Sequence, residues 1–184
     1  ITLPGDLSAL EKWKPHVERW LVFRDGESVS SAATVRAARQ ALGRDAFLVT
    51  GTNANFAELN RDRPSGPDWD AACFSLHPQV HAFDDESVMA NTEGQFHAVR
   101  SARQFLGGKP VLVSPVTLRP RADPRQSQPF CAAWTVGSLQ SLASAGAASV
   151  TYFDTRGAET YPVFDVLAAV GEFAAGALLA SEAS

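Results

Sequence analysis

The feature that most constrains this chain is a series of short, continuously apolar segments, each followed by a polar loop. A strand that is apolar at every position is covered on both faces, as the strands of parallel sheets are. Helical patterns separate the segments, which recur at intervals of about 25 to 40 residues, so the sequence predicts an α/β fold built from βα units. The segments are WLVF (20–23), AFLVTGT (46–52), ACFSLHPQV (72–80), VLVSPV (111–116) and SVTYF (149–153).

The intervening segments predict four helices. Ser30 is expected to cap a helix that stops at Gly43, and a second helix runs from about Ser87 to Phe105. Residues 131–146 and 163–180 predict the last two. No shift in composition marks a boundary, so we expect residues 1–184 to form a single domain. Five βα units do not close an eight-stranded barrel, which leaves an open sheet or part of a barrel.

Charge and hydropathy exclude several classes of protein. The net charge is −4 and the arginines are dispersed, so no basic face for nucleic acid is expected. The apolar stretches fall short of the roughly 20 residues that cross a bilayer, and charged residues among the first 20 positions argue against a signal peptide. Cys73 and Cys131 lie among apolar residues and predict buried thiols, which suits a reducing cytoplasm.

Polar side chains follow each predicted strand. Parallel sheets bind their ligands at the carboxyl ends of the strands, because the loops there are free to vary. The candidate functional residues at these ends are Asn53, Asn55, Glu58, His77, Gln79, His81, Arg119, Asp154 and Arg156.

His77 and His81 lie four residues apart, with Pro78 between them. Proline disfavours a helix interior, so we expect both histidines on a strand end and its exit loop. Three interpretations stay open at this point. The pair could bind a metal ion with Asp84 as a third ligand, could act in acid–base chemistry or sugar binding, or could only orient the loop.

The carboxylates and arginines also have alternative interpretations. Asp154 follows the last strand and could serve as a general base or nucleophile, or could cap a helix or pair with Arg156. Glu58 could be a second carboxylate across a pocket, or a solvated residue on a short helix. Arg119 suits an anionic or hydroxyl-rich ligand.

Four stretches of the sequence together resemble the D-apionate lactonase family. They are GTNANFAELNRDRP (51–64), FSLHPQVHAFDDESV (74–88), KPVLVSPVTLRPR (109–121) and residues 123–157. The resemblance implies a TIM-barrel domain similar to the retaining glycosidase clan, with the five strands here as roughly the last five of the barrel. The chain departs from the family's pattern at His77, where Asn is expected, and at Asp154, where Glu is expected.

The resemblance makes a carbohydrate lactone hydrolase the first functional hypothesis. Asp154 or His81 would activate water, and the other would protonate the leaving ring oxygen. Arg119 or a backbone donor would stabilise the oxyanion. The expected ligand is a small sugar or sugar lactone, and the scheme requires no cofactor or metal. The residues expected to bind it are Asn53, Asn55, His77, Gln79, Arg119 and Arg156.

Two further hypotheses stand beside the first. A glycosidase-like hydrolase would use Glu58 and Asp154 as its two carboxylates, about 5–10 Å apart. Alternatively, the chain is a non-catalytic partial barrel that acts in binding or assembly and self-associates through its open sheet edges.

Overall fold

The computed structural model describes residues 1–3, 7–119, 123–152 and 160–173. It confirms the predicted α/β class, because five parallel strands form one sheet that curls into a half-barrel, with helices between successive strands. The strands are β1 (Thr2–Leu3), β2 (Trp20–Leu21), β3 (Phe23–Arg24), β4 (Leu48–Asn55), β5 (Ala71–Leu76), β6 (Val111–Val116) and β7 (Ser149–Tyr152). The α-helices are α1 (Ala32–Leu42), α2 (Phe56–Arg61), α3 (Asp85–Phe105), α4 (Pro129–Ser144) and α5 (Pro162–Glu172). Short 3-10 helices span Leu7–His16 and Pro124–Ser127.

The order of the strands in the sheet is their order along the chain. The sheet runs β2-β4-β5-β6-β7, and every neighbouring pair is parallel. On the other side of the segment 20–24, β1 pairs in parallel with β3. The Val22 amide donates to Val49 O and the next amide, Phe23, donates to Ile1 O, so this one segment joins both partners.

Most predicted elements lie within a few residues of those observed. Ser31 rather than Ser30 caps α1, since its Oγ accepts from the Thr34 amide at 3.2 Å, while Ser30 is buried and bonds to Val22 O. The third predicted strand, which is β5, ends at Leu76 instead of continuing to residue 80, because Pro78 has no amide hydrogen to donate to a neighbouring strand. Strand β1 has only two residues and was not among the predicted strands.

Both faces of the sheet are covered, as the continuous apolar runs predict. On the face that packs against the helices, the strand residues belong to the large core; they are Leu48, Ala72, Phe74 and Val113. On the opposite face, a second apolar cluster consists of Val49, Ala71, Cys73 and Leu112. Both cysteines are buried free thiols, as predicted, and burial raises the pKa of Cys73 to about 12. Within the described residues, no helix has the length and apolar character needed to cross a membrane.

The outermost strands among the described residues are β1 and β7, which have two and four residues. Self-association through the sheet edges stays a prediction.

Gly51 sets how closely β4 approaches β5. It pairs with Cys73 in the parallel ladder and has a φ of +124°, and a Cβ built on it would lie 2.1 Å from Cys73 O. The contact atom is backbone, so a side chain at this position requires the two strands to separate.

We expect Gly51→Ala to lower the free energy of unfolding by about 3 kcal/mol or more, from backbone strain and the clash together. Gly43→Ala is the matched control, because Gly43 has a φ of +96° but nothing within 4 Å of an added Cβ. Denaturant unfolding should show a smaller loss there, about 1–2 kcal/mol. Equal losses in the two variants would show that Gly51 does not limit the strand spacing.

Candidate functional site

A cleft of about 340 Å³ lies at the carboxyl ends of β4 and β5, where α2 begins and α3 passes behind. It contains three of the residues that the sequence analysis singled out, namely Asn55, His77 and His81. We call it the histidine cleft. Its lining residues are Asn55, Phe56, Ala57, Ser75, Leu76, His77, Pro78, Val80, His81, Ala82, Asn91, Gly94, Gln95 and Ala98.

The floor of the histidine cleft is fixed by short polar contacts between neighbouring strand ends. The single Ser75 hydroxyl proton is shared between Asn53 O at 3.1 Å and Ala54 O at 2.9 Å from Oγ, which ties β5 to the end of β4. Asn55 is the N-terminal residue before α2, and its side chain makes no capping hydrogen bond. Its amide group is therefore available to a ligand in the cleft.

The two histidines occupy different depths of the cleft. His77 directly follows the last residue of β5 and is half-buried, and its Nδ1 is buried without a hydrogen-bond partner among the described residues. Burial lowers the pKa of His77, so its neutral form is favoured at neutral pH. His81 is exposed on the exit loop at the edge of the cleft.

Asp84, the third ligand of the metal hypothesis, has a structural partner. Its Oδ1 accepts from the Ser87 amide at 2.9 Å and caps α3, and the residue is exposed. Within the described ranges, no group of three or more His, Cys, Asp or Glu side chains is arranged to hold a metal ion.

A second cleft, of about 430 Å³, lies beside the first and is lined by charged residues. At its centre the buried Asp123 carboxylate accepts from Arg125 Nε at 3.0 Å and Nη2 at 2.8 Å. Gln79 Nε2 donates to the same carboxylate at 2.6 Å and to Leu118 O at 2.7 Å. These bonds, with those from Arg125 foremost, hold the pKa of Asp123 well below its usual range. We call this second cleft the arginine cleft.

Gln79 and Arg119 thus line a different cleft from the histidines. Gln79 is buried, and its amide nitrogen is committed to the two bonds just described. Arg119 is exposed, with its guanidinium 5.8 Å from the centre of the Phe83 ring. The roles of Gln79 and Arg119 in ligand binding stay predictions. Neither side chain lines the cleft that contains the two imidazoles.

Glu58 and Asn53 line neither of the two clefts. Glu58 lies on α2, where its Oε1 accepts from Arg61 at 3.3 Å and its Oε2 is buried without a partner among the described residues. Asn53 is exposed at the end of β4. Asp154 and Arg156 lie outside the described residues, so the carboxylate separation required of a glycosidase stays a prediction.

Gln95 is a polar cleft residue that was not among the predicted ones. It lies within α3, is buried, and bonds through Oε1 to Ser138 on α4. A single amide in the middle of a helix carries no sequence signal for a ligand site.

Comparison with known proteins gives one family. Residues 24–122 and 119–175 match the family model described as the D-apionate lactonase TIM-barrel domain. A D-apionate lactonase from Brucella anthropi is 37% identical over 94 residues, which are 51% of this chain and 15% of that relative. The chain therefore spans only a small part of the length of the relative. No solved structure matches the chain.

We expect Asp123→Asn to lower the free energy of unfolding by about 3 kcal/mol, because it leaves the Arg125 guanidinium without its buried partner. Because the folded pKa is depressed, this contribution is present above the unfolded value near 3.8 and is lost as pH falls below it. Denaturant unfolding at pH 7 and at lower pH should show the difference between wild type and variant shrinking on acidification.

Asp68→Asn is the control for this measurement. Asp68 pairs with Arg36 at 3.4 Å, but the two side chains are 33% and 61% exposed, so we expect a change below about 1 kcal/mol. A loss in Asp123→Asn as small as this, or one that does not vary with pH, would contradict the assigned role of Asp123.

Proposed function

The chain belongs to the D-apionate lactonase family, through its TIM-barrel domain, and from this premise we propose that it hydrolyses a sugar lactone in the histidine cleft. The observation that carries the proposal is the presence of two imidazoles and the Asn55 amide in one cleft at the carboxyl end of a parallel sheet. This end is where α/β barrels hold their active sites. The name of the Brucella relative favours a lactone of D-apionate as the substrate.

Opening a lactone requires two proton transfers and one site for negative charge. Water attacks the acyl carbon and gives a proton to a base. The attack converts the carbonyl group into a tetrahedral oxyanion. The oxyanion then collapses, the bond between the acyl carbon and the ring oxygen breaks, and a proton is delivered to the leaving alkoxide. The product is an open hydroxy acid, and no electrons are exchanged with a cofactor.

His77 fits the role of a base that is particular to this chain, since Asn is the residue expected of the family at this position. Its burial favours the neutral imidazole, which is the form that accepts a proton from water. His81 is exposed at the edge of the same cleft and would then protonate the leaving alkoxide. Asn55 offers an amide for a sugar hydroxyl. Asp154 follows β7 by two residues and keeps its predicted role as the competing base.

The direct test is ring opening of D-apionolactone and a panel of aldonolactones, followed by NMR with the purified chain. We expect His77→Asn and His81→Asn each to lower kcat/KM by about 100-fold or more, the usual loss when a positioned acid or base is removed. His97→Asn is the matched control, because His97 is exposed and lines a separate groove between α3 and α4. That variant should keep the wild-type rate.

Asp154→Asn completes this series. A large loss in this variant together with full activity in His77→Asn would transfer the base to Asp154. Absence of turnover in the wild-type chain on every lactone would refute the proposed function.

The dependence of rate on pH provides a separate prediction. The acid limb of the pH profile of kcat/KM should have its midpoint below pH 6.5, the ordinary histidine pKa. Burial lowers the pKa of His77, so a lower pH is needed to protonate it. His77→Asn should remove this limb from whatever activity remains. A midpoint at or above 6.5 in the wild type would exclude His77 as the base.

A further inference from the structure

Gln95 gives the histidine cleft a polar group with no assigned role. It is 2% exposed, it lines the cleft, and its Nε2 is buried without a hydrogen-bond partner among the described residues. A buried amide nitrogen with no acceptor is destabilising, and native proteins seldom leave one in this state. An acceptor atom of a bound ligand would satisfy it.

The orientation of the Gln95 amide is fixed by hydrogen bonds from α4 and β7. Tyr152 Oη on β7 donates to Ser138 Oγ on α4 at 2.8 Å, and Ser138 Oγ donates to Gln95 Oε1 at 2.6 Å. Burial raises the pKa of Tyr152 to about 12, so its hydroxyl keeps the proton that begins this relay. The relay occupies the oxygen of the amide and leaves the two N–H groups as donors.

The rest of the cleft has little charge to offer a ligand. The lining consists of apolar side chains, amides, one serine and the two histidines, and no carboxylate, lysine or arginine of the described residues is part of it. Among the residues that line this cleft, the other buried atom without a partner in the described residues is His77 Nδ1. These groups are neutral at their donors and acceptors alike, and Gln95 is the one whose oxygen is occupied and whose N–H groups are left, which suits an oxygen acceptor of the ligand at this point.

We propose that Gln95 Nε2 donates to the acyl oxygen of a sugar-acid ligand, either the carbonyl oxygen of the lactone or a carboxylate oxygen of the opened acid. The identity of the ligand rests on the proposed function, whereas the donor and its relay rest on the geometry alone. In this arrangement Gln95 takes the place that the sequence analysis gave to Arg119, which lines the arginine cleft. Donors held at an acyl oxygen also stabilise the oxyanion that forms there.

Binding can be measured by calorimetry with D-apionate, freshly prepared D-apionolactone, and the polyol made by reducing the acid. The acid tests the carboxylate oxygen, the lactone tests the carbonyl oxygen, and the polyol lacks any acyl oxygen. We expect one or both acyl compounds to bind at least about tenfold more tightly than the polyol, as loss of one buried hydrogen bond implies.

Gln95→Glu is the main variant, because it keeps an oxygen for Ser138 and replaces the donors with an acceptor. Gln104→Glu, on the exposed side of the same helix, is the control with the same change of charge. We expect acyl ligands to bind about tenfold or more weakly to Gln95→Glu and unchanged to Gln104→Glu. Gln95→Met removes the donors without adding a charge and should show the same loss, should the first variant not fold.

Tyr152→Phe tests the relay separately. Removing its hydroxyl should weaken acyl-ligand binding by a few fold while polyol binding stays unchanged, because Ser138 can then turn away from Gln95. A merely structural role would affect all ligands alike.

The outcomes distinguish this inference from the proposed function. Absence of lactone turnover with binding that depends on Gln95 refutes the hydrolase and supports the subsite. Wild-type turnover and binding in a folded Gln95 variant refute the subsite and leave the hydrolase. Equal binding of the polyol and the acyl compounds to the wild type, or no binding of any of them, also overturns the inference.

Discussion

The hydrogen bonds to the Asp123 carboxylate determine the geometry of the loops at the C-terminal end of the sheet. The carboxylate accepts from Arg125 and Gln79, and Arg125 in turn donates to Asp85 Oδ1 at 2.6 Å and to Phe83 O at 3.1 Å. One buried charge thereby joins the loop after β6, the exit loop of β5 and the start of α3. Since Gln79 lies between the two histidines in sequence, the path that carries them into their cleft depends on this network.

Helix α3 forms the back wall of the histidine cleft with one face. Asn91, Gln95 and Ala98 recur at helical spacing and all line the cleft. Asn91 Nδ2 donates to Pro78 O at 2.8 Å and so holds the exit loop, while Gln95 is held by Ser138. The same helix that covers the sheet through Val88, Val99 and Ala102 therefore positions the polar groups of the site.

The sequence predicted the sheet better than the site, and the reason is physical. Continuous apolar runs report burial on both faces, so β4 to β7 were found within a few residues, whereas β1 is too short to form a pattern. Polar residues after strands indicated the end of the sheet at which the histidine cleft lies. They could not predict that Arg119 and Gln79 lie in a separate cleft, because that depends on the long-range bond from Gln79 to Asp123. Gln95 was missed because the orientation of its amide depends on Ser138 and Tyr152, which are distant in sequence.

The separation into two clefts has a chemical consequence. A lactone is neutral and its hydrolysis product is an anion, so a fixed guanidinium in contact with the acyl group would bind the product more strongly than the substrate. In the arginine cleft the Arg125 guanidinium is instead paired with Asp123 and Asp85. The histidine cleft is left with neutral donors and with an imidazole whose burial disfavours a positive charge. Under the proposed function, neutral donors would stabilise the oxyanion as it forms and would hold the product carboxylate less tightly than a guanidinium would.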